Sequence, residues 1–114
     1  MNSKPDISLL YDFYGELLQR SQQQVIELYV NDDLSLSETA GILGISRQGV
    51  RDSLSRADQK LCEYEARLGL LDAYRRRRKR DERLRALARE LRSVSGADAQ
   101  PLLDEMDGLL KGDD

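Results

Sequence analysis

Apolar side chains recur along most of this chain at spacings of three and four residues, the pattern of amphipathic α-helices. The sequence has no sustained alternation of apolar and polar positions, which would indicate half-buried strands. The two prolines, Pro5 and Pro101, leave the long middle of the chain uninterrupted. We therefore predict an all-α protein.

The first two helices are predicted from their apolar faces and from one cap signal. A first helix is expected over about 6–19, with Leu17 and Leu18 continuing its apolar face. Ser21 followed three residues later by Gln24 has the spacing of a capping box and predicts the start of a second helix.

Residues 36–57 have the spacing of a helix-turn-helix. Ser35 followed by Glu38 predicts a capping box that opens the first helix of the motif. Gly44 is expected to supply the left-handed turn that ends this helix, and Ser46 to cap the next one. Small or apolar side chains stand where the two helices would pack: Ala40, Val50 and Leu54.

Three side chains are predicted to project from the start of the second helix of the motif: Arg47, Gln48 and Arg51. At that place a helix-turn-helix meets base edges and phosphates. Any tight helical hairpin needs the same small and apolar residues, however, and Asp52 would weaken phosphate attraction on the same face. The pattern thus predicts the motif and leaves its use in nucleic-acid binding open.

The second helix of the motif is predicted to run without a break from about 47 to 68, with Gly69 as its C-cap or a hinge. Its apolar residues alternate spacings of four and three, which is a heptad seam: Val50, Leu54, Ala57, Leu61, Tyr64 and Leu68. Part of this seam is expected to pack on the first helix and part to meet a second copy. A homodimer is therefore predicted.

Charge is segregated along the chain although the net charge is only −3. Residues 75–83 have no apolar side chain, and six consecutive cations form what we call the basic run: Arg75, Arg76, Arg77, Arg78, Lys79 and Arg80. The side chains of six consecutive helical residues point in all directions around the helix axis, so this segment cannot have a buried face. We expect it to bind RNA or another polyanion, to be a solvated face whose charges pair along the helix, or to contact a membrane surface. Two domains are predicted: a helix-turn-helix domain over 1–71 and a charged helical extension over 72–114.

Several kinds of chemistry are disfavoured by composition. The chain has no histidine, which removes Ser-His and Cys-His nucleophiles and histidine metal sites, and it has no glycine-rich phosphate loop. No apolar stretch is long enough to cross a bilayer, and the N-terminus lacks the apolar region of a secretory signal. The single cysteine, Cys62, cannot form an internal disulfide. We expect a non-enzymatic cytoplasmic protein without a cofactor or a metal.

Four blocks of the sequence resemble the YlxM family, in family order and with family-like gaps. They are residues 12–18 (DFYGELL), 28–38 (LYVNDDLSLSE), 44–50 (GISRQGV) and 64–70 (YEARLGL). The resemblance covers roughly residues 7–71, and the arginine run beyond it departs from the family pattern.

The resemblance to the YlxM family implies a helix-turn-helix similar to region four of sigma factors. It also implies an accessory or regulatory role in the bacterial signal recognition particle pathway, through contact with the particle's RNA or its GTPase. It implies no catalytic residues. A DNA-binding transcriptional regulator that uses Arg47, Gln48 and Arg51 on duplex DNA is the first alternative, and a protein-interaction adaptor is the second.

Overall fold

The computed structural model describes residues 1–94 and 96–111, and no β-strand occurs among them. The helices are α1 (Lys4–Tyr14), α2 (Arg20–Val25), α3 (Leu36–Leu43), α4 (Arg47–Leu68), α5 (Leu70–Ser93) and α6 (Gln100–Lys111). Short 3-10 turns cover Gly15–Leu17 and Gly96–Ala99, and a π-helical segment, Ile26–Asn31, continues α2. The all-α prediction is confirmed.

The chain divides into two compact units, Met1–Asp72 and Ala73–Asp114. The first unit contains α1 to α4 and the first residues of α5. The second unit contains the rest of α5 and α6.

Helix α4 is the centre of the first unit and packs against α1, α2 and α3. Its seam residues Val50, Ala57 and Leu61 are completely buried, and Leu54 is nearly so. The other buried apolar residues of this unit come mainly from the helices around it: Ile7, Leu10, Tyr14, Leu18, Val25, Ile26, Val30, Ala40 and Leu71. Leu68, at the end of the seam, is 57% exposed. The heptad pattern therefore marks the core of this unit over most of its length.

The boundaries predicted for the first two helices are wrong. Helix α1 ends at Tyr14 and passes into the 3-10 turn, where the carbonyl of Gly15 accepts from the Leu18 amide at 3.1 Å and from the Gln23 side chain at 2.8 Å. As a result Leu17 is 57% exposed, whereas Leu18 is buried as expected. The amides of Gln22 and Gln23 both donate to the carbonyl of Gln19, so α2 is already wound at position 21. Ser21 therefore cannot be its N-cap.

The end of the π-helical segment is fixed by contacts with α1. The amide of Asp32 donates to the carbonyl of Glu27, five residues earlier, at 2.9 Å. Ser8 on α1 donates to the Asn31 side chain at 2.9 Å. Lys4 forms an ion pair with Asp33, a residue of positive φ (54°), at 2.9 Å. A turn thus follows the π-helical segment, and side chains from α1 hold it.

A bidentate ion pair connects α5 and α6 in the second unit. The Arg83 guanidinium on α5 donates to both carboxylate oxygens of Glu105 on α6, at 2.6 and 2.8 Å. Leu87 on α5 is completely buried. None of the described residues of α6 is buried, and Leu103 and Leu110 are 44% and 63% exposed. Helix α6 therefore keeps much of its apolar face on the surface.

Candidate nucleic-acid interface

The helix-turn-helix is built by caps that the sequence predicted. The Ser35 hydroxyl accepts from the Glu38 amide and the Glu38 carboxylate accepts from the Ser35 amide, both at 3.0 Å. The Ser35 amide and hydroxyl hold the pKa of Glu38 below its usual value. Gly44 has φ 68° and ψ 32°, a left-handed conformation that favours glycine. The Ser46 hydroxyl then accepts from the Gly49 amide at 2.9 Å and opens α4. The capping box, the turn and the second cap are confirmed.

Close packing holds α3 against α4. Ala40 is 6% exposed, and Val50 and Leu54 on α4 are buried as predicted. Thr39 is also completely buried, and its hydroxyl has no hydrogen-bond partner among the described residues. Buried side chains thus hold α3 against α4 on either side of the turn.

The three predicted recognition residues lie exposed at the start of α4. Arg47 and Arg51 are four residues apart on one face of the helix, and neither makes an ion pair with another described residue. The Gln48 side chain instead donates to Asp52 at 2.9 Å. Two of the three side chains are thus available to a ligand, while Gln48 is held by the acidic residue that reduces the positive charge of this face.

Two exposed isoleucines beside the recognition residues were not predicted. Ile42, near the end of α3, is 63% exposed, and Ile45 in the turn is 44% exposed. Apolar residues of this kind are common in a helix-turn-helix core, so their identity alone does not show that they are exposed. They make the turn less polar than a surface used only for phosphate contact.

The basic run lies on α5 within the second unit. Five of its members are exposed and Arg80 is half-buried. The Arg78 guanidinium lies 3.7 Å from a carboxylate oxygen of Glu82 and 5.9 Å from the centre of the Tyr74 ring. The hydrogen bond with Tyr74, the charge of Tyr74 and that of Glu82 raise the pKa of Arg78. Arg77 and Lys79 make no ion pair with any residue that the structure describes. The run is therefore only partly neutralised by its own helix.

A polar clamp at the end of the first unit was missed by sequence reasoning. The buried Tyr14 hydroxyl donates to the Glu65 carboxylate at 2.6 Å and accepts from the Leu70 amide at 3.0 Å. The same carboxylate accepts from the amides of Leu71 and Asp72 at 3.0 and 3.1 Å. Burial and the bond to Glu65 raise the pKa of Tyr14. These two side chains cap the start of α5, on which the basic run lies.

Neither of two other kinds of site is found in the described part of the chain. Residues 1–94 and 96–111 contain no group of three or more side chains suited to hold a metal ion. Within the same residues, no helix combines the length and the apolar character needed to cross a membrane.

Comparison with known proteins identifies the family. The model of a family described as "Putative helix-turn-helix protein, YlxM / p13 like" matches residues 1–95. The chain belongs to this family. The match includes the helix-turn-helix and all of α5 with the basic run, whereas α6 lies beyond it.

Individual members of the family are similar over different lengths. A UPF0122 protein of Clostridium botulinum is 36% identical over 109 residues, which cover 96% of this chain and all of that protein. One from Geobacillus kaustophilus is 42% identical over 90% of this chain and 93% of the relative. One from Caldanaerobacter subterraneus is 46% identical over 69% of this chain and 68% of the relative.

Proposed function

We propose that this protein is a non-enzymatic accessory or regulatory protein of the signal recognition particle pathway, and that the basic run contacts the particle's RNA. The pathway comes from the resemblance to the YlxM family. The RNA contact is supported by one observation on this chain: consecutive cations on an exposed stretch of α5, with Arg77 and Lys79 unpaired among the described residues.

The charge of α5 favours a polyanion as its ligand. The helix has ten basic and four acidic residues, a net charge of +6. Exposed ion pairs such as the one between Arg78 and Glu82 contribute little and are readily exchanged for other anions. A phosphate backbone releases its condensed counterions when cations such as these replace them. The expected contact is thus with phosphates, without reading of base edges.

The experiment is a salt titration of binding to the particle's RNA. If three or four of the six cations contact phosphate, the slope of log affinity against log salt should be about −2 to −4. Replacement of Arg75, Arg76, Arg77, Arg78, Lys79 and Arg80 by glutamine should flatten this slope. Glutamine is a good helix former, so α5 should remain helical in the variant.

The matched control replaces Arg47 and Arg51 by glutamine, which removes cations from the helix-turn-helix only. This control should keep most of the RNA affinity and its salt dependence. If the glutamine variant of the basic run binds the RNA as tightly as the parent at low salt, the run is a solvated face. A role in the pathway would then have to depend on protein contacts, including contacts with the GTPase.

Sequence-specific binding of duplex DNA is the second candidate function. It is favoured by the exposed, unpaired Arg47 and Arg51 at the start of α4, where a recognition helix meets the major groove. On a preferred site, Arg51→Ala should cost about 1–3 kcal/mol and relax the specificity. We expect weak duplex binding without a preferred sequence, because Asp52 holds Gln48 and opposes phosphate on this face. Enrichment of a defined motif from a random duplex library would reverse the order of the two candidates.

A further inference from the structure

An exposed apolar surface lies on the first unit. It consists of Phe13, Leu17, Leu68 and Leu70, which are 36%, 57%, 57% and 45% exposed, and we call it the apolar patch. Nothing in the family description or in the proposed RNA contact uses it.

Contacts around Tyr14 bring the members of the apolar patch together. The ring of Tyr14 lies 6.2 Å from that of Phe13 and 6.0 Å from that of Tyr64. The Tyr64 hydroxyl donates to the carbonyl of Leu17 at 3.3 Å, and the amide of Leu70 donates to Tyr14 at 3.0 Å. These contacts place Phe13, Leu17 and Leu70 near Tyr14 or Tyr64, and Leu68 lies about one helical turn after Tyr64 on α4.

Carboxylates border the patch on the α1 side. Asp12 and Glu16 directly precede Phe13 and Leu17, and with Glu27 they line a surface cleft of about 340 Å³. Tyr11, in the same cleft, donates to Glu27 at 2.9 Å. Arg20 lies 3.8 Å from Glu27 in an exposed pair. Three carboxylates thus line the cleft, and Glu27 is paired with Arg20. Asp12 and Glu16 make this border negative.

We propose that the apolar patch docks an amphipathic helix of a protein partner, with apolar anchors on one side and lysine or arginine beside them. The anchors would cover Leu17 and Leu68, and the partner's cations would face Asp12 and Glu16. The α4 side of the patch should attract the partner's cations less, because Glu65 is engaged in the clamp and Arg67 is exposed beside Leu68.

Charge argues against a second copy of this chain as the occupant. Helix α6 has an apolar face, but its charged residues are Asp104, Glu105 and Asp107 against Lys111, which would meet the carboxylates of the cleft. The basic run has the right sign, but residues 75–83 have no apolar anchor. Residues 83–92 of α5 do combine leucines with arginines, but Leu87 among them is completely buried and Arg83 is paired with Glu105. That apolar side is therefore already in use, and the expected occupant is a helix of another protein.

The test measures binding of designed peptides to the full chain by fluorescence anisotropy. The probe is a peptide of about sixteen residues with leucines at spacings of three and four and lysines beside them. One control peptide has the same composition in scrambled order, and a second has glutamate in place of lysine. We expect the probe to bind at least about tenfold more tightly than either control, and more weakly as salt is raised.

Variants then locate the binding surface. Leu17→Ser and Leu68→Ser should each weaken binding of the probe at least about fivefold, and Asp12→Asn with Glu16→Gln should reduce its salt dependence. Ile42→Ser removes an equally exposed apolar side chain outside the patch and should change nothing. Because these side chains are exposed, the variants should keep the helical content of the parent.

Three results would overturn the proposal. The scrambled or the acidic peptide could bind as tightly as the probe, or the patch variants could bind like Ile42→Ser. The third result is that the parent protein self-associates and Leu68→Ser makes it a monomer. The patch would then be an interface between two copies of this chain. None of these measurements depends on RNA binding. The peptide experiment can therefore fail or succeed independently of the RNA salt titration.

Discussion

Removal of the Tyr14 hydroxyl tests whether the clamp stabilises the junction between α4 and α5. Tyr14→Phe keeps the ring in the core, where it is 1% exposed, and deletes two hydrogen bonds, one of them to a carboxylate at 2.6 Å. The Leu70 amide and one oxygen of Glu65 lose a partner. Leu70 is 45% exposed, so water can replace part of the loss. We expect a decrease in the free energy of unfolding of about 1–2 kcal/mol.

A double-mutant cycle separates the clamp from general effects of each substitution. Glu65→Ala removes the acceptor for Tyr14 and for the amides of Leu71 and Asp72, and should cost about 2–3 kcal/mol. Because both side chains belong to one network, the double variant should be destabilised by about 1 kcal/mol less than the sum of the two single variants. The assay is urea unfolding followed by circular dichroism and tyrosine fluorescence.

The control for this cycle is Glu63→Ala on the same helix. Glu63 is exposed and lies 3.8 Å from Lys60, so its loss should change the free energy of unfolding by less than about 0.5 kcal/mol. If Tyr14→Phe is no more destabilising than Glu63→Ala, or if the two clamp substitutions are additive, the clamp does not stabilise this junction.

Three further predictions concern the turn, the pH dependence of stability and self-association. Gly44→Ala should destabilise the protein by about 1 kcal/mol in urea unfolding, because φ is 68° there and alanine adopts this conformation only with strain. An unchanged free energy of unfolding would contradict this expectation. Burial and Glu27 raise the pKa of Tyr11 from 10.0 to about 12, so the folded state holds this proton more tightly. Its contribution to stability is full below pH 10 and is lost between pH 10 and 12, and the decline should be shallower in Tyr11→Phe. Sedimentation should show a homodimer at micromolar concentration that Leu110→Ser weakens; a single 13.0 kDa species throughout would refute it.

Local signals predicted the parts of the fold that depend on short-range chemistry. The capping box at Ser35, the left-handed Gly44 and the ends of α4 at Arg47 and Leu68 agree with the structure, because each depends on a few neighbouring residues. The heptad pattern also identified the buried side of α4. These are the features that place Arg47 and Arg51 on the surface.

Long-range contacts decided what the sequence pattern could not. The bond from the Gln23 side chain to the Gly15 carbonyl lies where α1 ends, and no periodicity signals it. The same holds for the clamp, since Tyr14 and Glu65 are 51 positions apart in the chain. The pairing of Arg83 with Glu105 likewise depends on how α5 and α6 meet. Aromatic and acidic residues at helical spacing do not reveal such partners.

The π-helical segment has a consequence for insertions and deletions. A wide turn of this kind corresponds to an α-helix that has accepted one extra residue. The bond from the Asp32 amide to the Glu27 carbonyl spans that extra residue. Ile26 and Val30 are buried within the segment, whereas Leu28 and Tyr29 are only half-buried. Removal of one residue at position 28 or 29 should therefore let the segment close into a regular α-helix, with the half-buried side chains as the ones lost.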